Sequence, residues 1–128
     1  MKKLLTLFVL IAAIPLFAHH GRGSMFNMDK QVTLKGKVTE VSWRNPHVVI
    51  YMDAKDDTGK VVTWGFENAN TTVLARAGFN RNTLRVGQEI TAIVNPARTG
   101  VPAGIVVTII LADGKEIMSR GRGENPVD

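Results

Sequence analysis

The sequence predicts an all-β domain with a small α content: an OB-like five-stranded barrel with one short helix between strands three and four. Three observations lead there. Five runs rich in β-branched and aromatic residues follow one another behind an apolar leader, and the first alternates apolar and polar residues over eight positions. Turn chemistry punctuates them at Asn45-Pro46, Asp56-Asp57-Thr58-Gly59, Asn95-Pro96 and Asp113-Gly114. The period breaks over Thr71–Ala77, where two helical turns fit between the third and fourth runs. A six-stranded sandwich and an SH3-like barrel share this order of elements and stay open as alternatives.

The first strand starts near Gln31. Val32, Leu34, Gly36 and Val38 alternate with Thr33, Lys35, Lys37 and Thr39, and the strand is expected to run to Trp43, with Gly36 permitting the bend a small barrel needs. Pro46 cannot donate to a ladder, so Arg44-Asn45-Pro46 is a turn. His47–Met52 is the second strand and Lys60–Phe66 the third. Asn70 or Thr71 suits the N-cap of the short helix and Gly78 its end. So short a helix is unstable alone and must dock Val73, Leu74 and Phe79 on the sheet. Gln88–Val94 and Ala103–Leu111 complete the five strands, closing a domain over residues 31–117. Residues 19–30, with Gly21, Gly23 and Ser24 and no apolar period, read as a flexible arm, and the polar residues 118–128 as a disordered tail.

Residues 1–18 have the layout of a secretory signal. Lys2 and Lys3 precede an apolar run of eleven residues, Leu4–Ile14, and Ala18 supplies a small residue at the cut. A bilayer span needs about 20 apolar residues, so no stable anchor is expected after cleavage. Leu16 stands two before the cut, where a small residue is usual. Removal of the leader leaves 110 of the 128 residues (128 − 18), and the expected location is the periplasm.

The chain has no cysteine, which excludes a lipid-modified cysteine, disulfides, thiolate metal sites and cysteine nucleophiles. The net charge of +5 falls to +3 without the two leader lysines (5 − 2), and it is spread along the chain. That is not the basic stripe of a nucleic-acid binder. Known catalytic signatures are missing: there is no G-x-S-x-G, H-E-x-x-H or P-loop. A binding module is therefore the first reading, with the question of an enzyme left open.

The chemistry concentrates in three histidines, His19, His20 and His47. A cut after Ala18 makes His19 the first residue, so its α-amino group and imidazole can close one chelate. A further histidine nitrogen completes a T-shaped site of the kind that suits Cu(II), the default among first-row divalent ions for nitrogen donors. His47 would be the third side chain of that site. The plainer readings stand beside it: adjacent histidines behind a leader can be inert and solvated, and His47 can simply tie its turn through a hydrogen bond. Alternation puts His47 on one face with Val49 and Tyr51, opposite Val48, Ile50 and Met52.

Trp43, Asn45, Tyr51, Glu67 and Arg98 are the remaining candidates, as a ligand-binding face. Trp64 and Phe66 share a strand face and read as core. Glu67 falls on the opposite face, where it can pair with Arg76 or Arg81, support the helix start or serve a pocket.

Several stretches together resemble a known family: Ala18-His19-His20, the strand Val32–Val41, Trp43-Arg44-Asn45-Pro46-His47, Trp64-Gly65-Phe66-Glu67 and Leu84–Ile90. The chain is similar, over roughly His19–Ile117, to small secreted proteobacterial proteins catalogued as domain of unknown function 6152. The resemblance implies the fold and export and names no substrate. Two departures stand out: Gly21-Arg22-Gly23-Ser24 replaces a Ser-Phe-rich acidic stretch, and Asn68-Ala69-Asn70 replaces a proline-containing turn.

The functional expectation is a non-enzymatic periplasmic module that holds Cu(II) or another late transition metal through His19, His20 and His47. A metal-free module binding a periplasmic protein or small ligand is the alternative, and a copper oxidoreductase a weaker one. No nucleic-acid partner is expected.

Overall fold

In a computed structural model, which describes residues 21–119, every strand is antiparallel to at least one neighbour, and one parallel pairing closes the sheet on itself. The elements are α1 (Arg22–Met25), β1 (Val32–Ser42), β2 (Val49–Lys55), β3 (Val61–Glu67), α2 (Thr71–Arg76), β4 (Glu89–Pro96), β5 (Ala103–Leu111) and β6 (Glu116–Ser119). The sheet order is β3-β2-β1-β4-β5-β6, and β3 also pairs with β5. Strands one to five thus form the closed OB-like barrel the sequence predicts, with α2 between β3 and β4. The sixth strand is an addition, an antiparallel flap on β5.

β1 is the hub because it is long enough to serve two partners. Val32–Lys37 pairs with β4, and Gly36–Ser42 pairs with β2. At Gly36, where the two ladders overlap, a side chain would meet the backbone of Asp53 and Ala54. Gly36 is therefore where the strand bends and β2 comes closest. A bulge then shifts the β1–β2 register between Val38 and Glu40. Thr39 and Glu40 both face outward as a result, and Val41 turns back toward the core. Closure comes from three parallel pairs, Gly65↔Ala103, Phe66↔Gly104 and Glu67↔Ile105.

The core follows the alternation. Val48, Ile50 and Met52 of the second strand segment are fully buried with Phe66, Ile90, Val94, Ile105 and Ile109. Eleven large side chains among the described residues are almost fully buried. At roughly 1.5–3 kcal/mol each, their burial is the main favourable term in folding. α2 closes one end. Asn70 caps it by accepting a hydrogen bond from the Val73 N–H at 2.9 Å. Its C-terminus stops at Gly78, whose φ of +82° few other residues tolerate. The Phe79 N–H reaches back to the Leu74 carbonyl and the Gly78 N–H to that of Ala75, which is a Schellman stop. Leu74 and Phe79 are buried, and Trp43 stacks on Phe79 with ring centroids 6.1 Å apart. Val73, expected to dock, is instead exposed.

The described part of the segment expected to be a flexible arm is docked. After α1, Phe26 is only 5 % exposed and makes an antiparallel bridge with Ala97. The Asn27 N–H donates to the Pro96 carbonyl at 2.8 Å, and the Arg98 N–H donates to that of Met25 at 2.9 Å. The buried Asn95 amide donates to the Lys30 carbonyl at 2.7 Å and to that of Met28 at 3.3 Å. One isolated aromatic side chain does what no period in the sequence announced. The leader, His19, His20 and residues 120–128 of the expected tail lie outside the described residues.

Candidate functional site

The outer face of β2 and β3, together with the β1–β2 turn, encloses a groove of about 360 Å³. Its walls are built by register. Val49 pairs with Glu67 and with Ser42, and Tyr51 pairs with Gly65 and with Glu40. Because cross-strand partners point to the same side, these residues line one trough. The bulge in β1 matters here: strict alternation would have turned Glu40 and Ser42 inward with Val38, and the extra residue turns them to the groove. Gly65 leaves room for the Tyr51 ring, since a Cβ there would sit 3.3 Å from a ring carbon.

His47 enters at the mouth of the trough. The ladder continues past the strand ends, because the Val48 N–H donates to the Ala69 carbonyl and the Asn68 N–H to that of Val48. That fixes the backbone on both sides of the His47–Glu67 pair. His47 Nδ1 then lies 3.0 Å from Glu67 Oε1, with the two side chains 38 % and 21 % exposed. In the neutral ring, donation by Nδ1–H to the carboxylate leaves the lone pair on Nε2. A histidine whose second nitrogen is held by a carboxylate is the usual arrangement behind a metal-ligating imidazole.

The candidates separate into three places. His47, Asn45, Tyr51 and Glu67 meet in the groove with Arg44 and Pro46. Asn45 also anchors the turn, its Oδ1 accepting from the N–H and the hydroxyl of Thr71 at 3.1 and 2.9 Å. Trp43 faces a different, shallow hollow of about 560 Å³ beside α2, lined with Thr71, Thr72, Ala75 and Arg76. Arg98 belongs to neither, and its Nε donates to the Gly23 carbonyl at 3.0 Å. Glu67, considered above as a partner for Arg76 or Arg81, faces His47. Glu40, Ser42, Arg44 and Val49 are groove residues the sequence did not single out. Only the bulge would have revealed the first two. Among the described residues no three His, Asp or Glu side chains converge as metal ligands, and no helix is long and apolar enough to cross a membrane.

Fold and groove define a small OB-like barrel with a histidine–carboxylate pair on its β2–β3 face. The sequence profile of the family described as "Family of unknown function (DUF6152)" matches residues 7–106, and the chain belongs to that family. The matched span includes the histidine pair and every groove residue, and stops before β6. No curated protein and no solved structure matches the chain.

Proposed function

We propose that this protein is an exported, non-enzymatic periplasmic module that holds a late transition metal, Cu(II) by default. Cleavage after Ala18 frees the His19 amine, and the donors are that amine, the His19 and His20 imidazoles and His47 Nε2. The observation that carries this reading is the 3.0 Å contact of His47 Nδ1 with Glu67. It fixes the ring and assigns the lone pair to the other nitrogen, where a copper ion would take it. The groove supplies one ring; the remaining nitrogens have to come from the N-terminal histidines.

Three proteins test it: the natural mature form, the same form with one alanine added before His19, and His47→Ala. The added alanine keeps every side chain and moves the free amine away from the His19 ring. Cu(II) at 100 times its Kd stabilises the native state by about 2.7 kcal/mol. That corresponds to a rise in Tm on the order of 10 °C or more for a domain near 100 residues. The natural form should show this rise, and both variants should lose most of it together with Cu(II) affinity. Equal affinity in all three would refute a joint site.

A second reading has its own support. The groove occupies the strand 2–3 face and the adjoining loop that OB barrels use for ligands, and the Tyr51 ring over Gly65 offers a flat platform. A metal-free module binding a small polar ligand or a partner protein on that face is the function to adopt if the copper test fails.

A further inference from the structure

The groove carries the opposite sign of charge from the chain that builds it. The chain has a net charge of +5, yet the groove sets two carboxylates, Glu40 and Glu67, against the single guanidinium of Arg44. With the imidazole neutral, His47 Nδ1–H donates to Glu67 and the carboxylate keeps its charge. Register orders these groups. Glu40, Tyr51 and Gly65 form one cross-strand row, and Ser42, Val49 and Glu67 form the next. The Tyr51 ring leans over Gly65 on β3, and Glu40 stands on its other side, on β1. One aromatic ring is thus flanked by a carboxylate from each neighbouring strand, with the aliphatic Val49 beside it on β2.

We infer that the groove takes a small alkylammonium ion, its charge against the Tyr51 ring between Glu40 and Glu67 and its methylene arm along Val49. The inference deepens the metal-free reading above, and gives the small ligand of that reading a chemical class. The ring face attracts a cation through its quadrupole, and the carboxylates and the Ser42 hydroxyl are acceptors for its N–H groups. A quaternary ammonium has no N–H to offer them, and the groove has one ring where a cage has several. The volume of about 360 Å³ is at the small end for ligand pockets and suits a small molecule. Arg44 stands at the turn end of the groove, four residues after Glu40. It opposes a second positive group there, so an amine whose far end is neutral or anionic fits better than a diamine.

The test follows the backbone amides of the exported protein by proton–nitrogen correlation NMR during titration with butylamine, butanol or butyrate. The three probes differ in the charge of the head group and little else, and butylamine is protonated at neutral pH. Butylamine should shift the amides of Ser42, Val49, Tyr51 and Gly65 saturably. Those of Thr72 and Ala75 should stay, because the hollow they line has Arg76 as its one charged wall residue. Butanol and butyrate should bind the groove roughly tenfold more weakly or not at all, the combined effect of an exposed ion pair and a cation–π contact. Tyr51→Leu should weaken butylamine binding about two- to fivefold, while Tyr51→Phe, which keeps the ring, should not. Glu40 is exposed on its strand, so Glu40→Lys should fold and abolish the saturable shift; it carries the test if Tyr51→Leu loses its β-sheet signal in circular dichroism. Equal shifts with butylamine and butanol would overturn the inference and leave the groove a site for neutral ligands. Shifts that survive Glu40→Lys, or no saturable shift with butylamine, would also overturn it. Failure of the metal-free reading itself shows elsewhere, as the joint loss of Cu(II) affinity in the alanine-extended and His47→Ala proteins.

Discussion

Gly36→Ala should be among the most damaging small changes in the chain. A Cβ at Gly36 would overlap the Asp53 carbonyl oxygen, 2.9 Å from that carbonyl's carbon and 3.1 Å from the Ala54 Cα. All of these are backbone atoms of β2, so no side chain can swing aside. Moving β1 outward is opposed by its other ladder, where Gly36 pairs with Ile90. Overpacking of this kind costs about 1–3 kcal/mol, and a ladder hydrogen bond lost in the adjustment adds about 0.5–1.5 kcal/mol. Against this, alanine loses less chain entropy on folding than glycine, a gain of about 0.4–1 kcal/mol. The steric side wins, for a net loss of about 2–3 kcal/mol. At 4–8 °C per kcal/mol, thermal denaturation followed by circular dichroism should show Tm roughly 10–20 °C lower. Thr33→Ala, an exposed change on the same strand, is the control and should move Tm little. If Gly36→Ala melted within about 3 °C of the natural protein, the close approach of β1 and β2 and the account of the barrel's bend would both be wrong.

Two further outcomes follow from the site and from one turn. Glu67→Gln keeps the shape and removes the carboxylate behind His47; Cu(II) affinity should fall about 10–100-fold, which chelator competition would read, and an affinity equal to that of the natural protein would remove the support for His47 as a ligand. Asp56 is held below the ordinary aspartate range, first by the Thr58 hydroxyl and then by the backbone N–H groups of Lys60, Thr58 and Gly59. As pH falls the unfolded chain therefore takes up this proton before the folded one does, so the group stabilises the native state above about pH 4 and loses that effect as pH drops through its lower folded value. Melting curves of the natural protein and Asp56→Asn should accordingly differ near neutral pH and converge in strong acid, whereas a gap that widened in acid would contradict the sign.

What the sequence revealed was local. Alternation marked β1, expected from Gln31 and found over Val32–Ser42, and Ala103–Leu111 was found as expected. Cap chemistry marked α2 from Thr71, because Asn70 and Gly78 each act within a few residues of themselves. Features that depend on partners far along the chain were hidden. The bulge near Thr39 exists only relative to β2, and it reverses the faces of Glu40 and Ser42. His47 and Glu67 could each be assigned a face, yet only the Val49↔Glu67 register brings them within hydrogen-bond distance. Phe26 is a single aromatic residue among glycine, serine and asparagine, so its burial carried no period at all. β6 is four residues long and survives by pairing with β5, too short for its pattern to stand out.

The double use of β1 shapes how the molecule must come into being. Val32 pairs with Val94, about sixty positions later, and β3 closes on β5 across a gap of nearly forty. Contacts this distant in sequence are slow to form, because loop entropy is spent before they reward it. A growing chain that has not yet made Ile93 and Ile105 has no partner for the first half of β1 and no closure for β3. Until then only the local β1–β2 and β2–β3 pairings are available to it, and the barrel cannot close. For a protein threaded through a narrow channel to reach its compartment, as the export proposed here requires, that delay keeps the chain in the state in which it can pass.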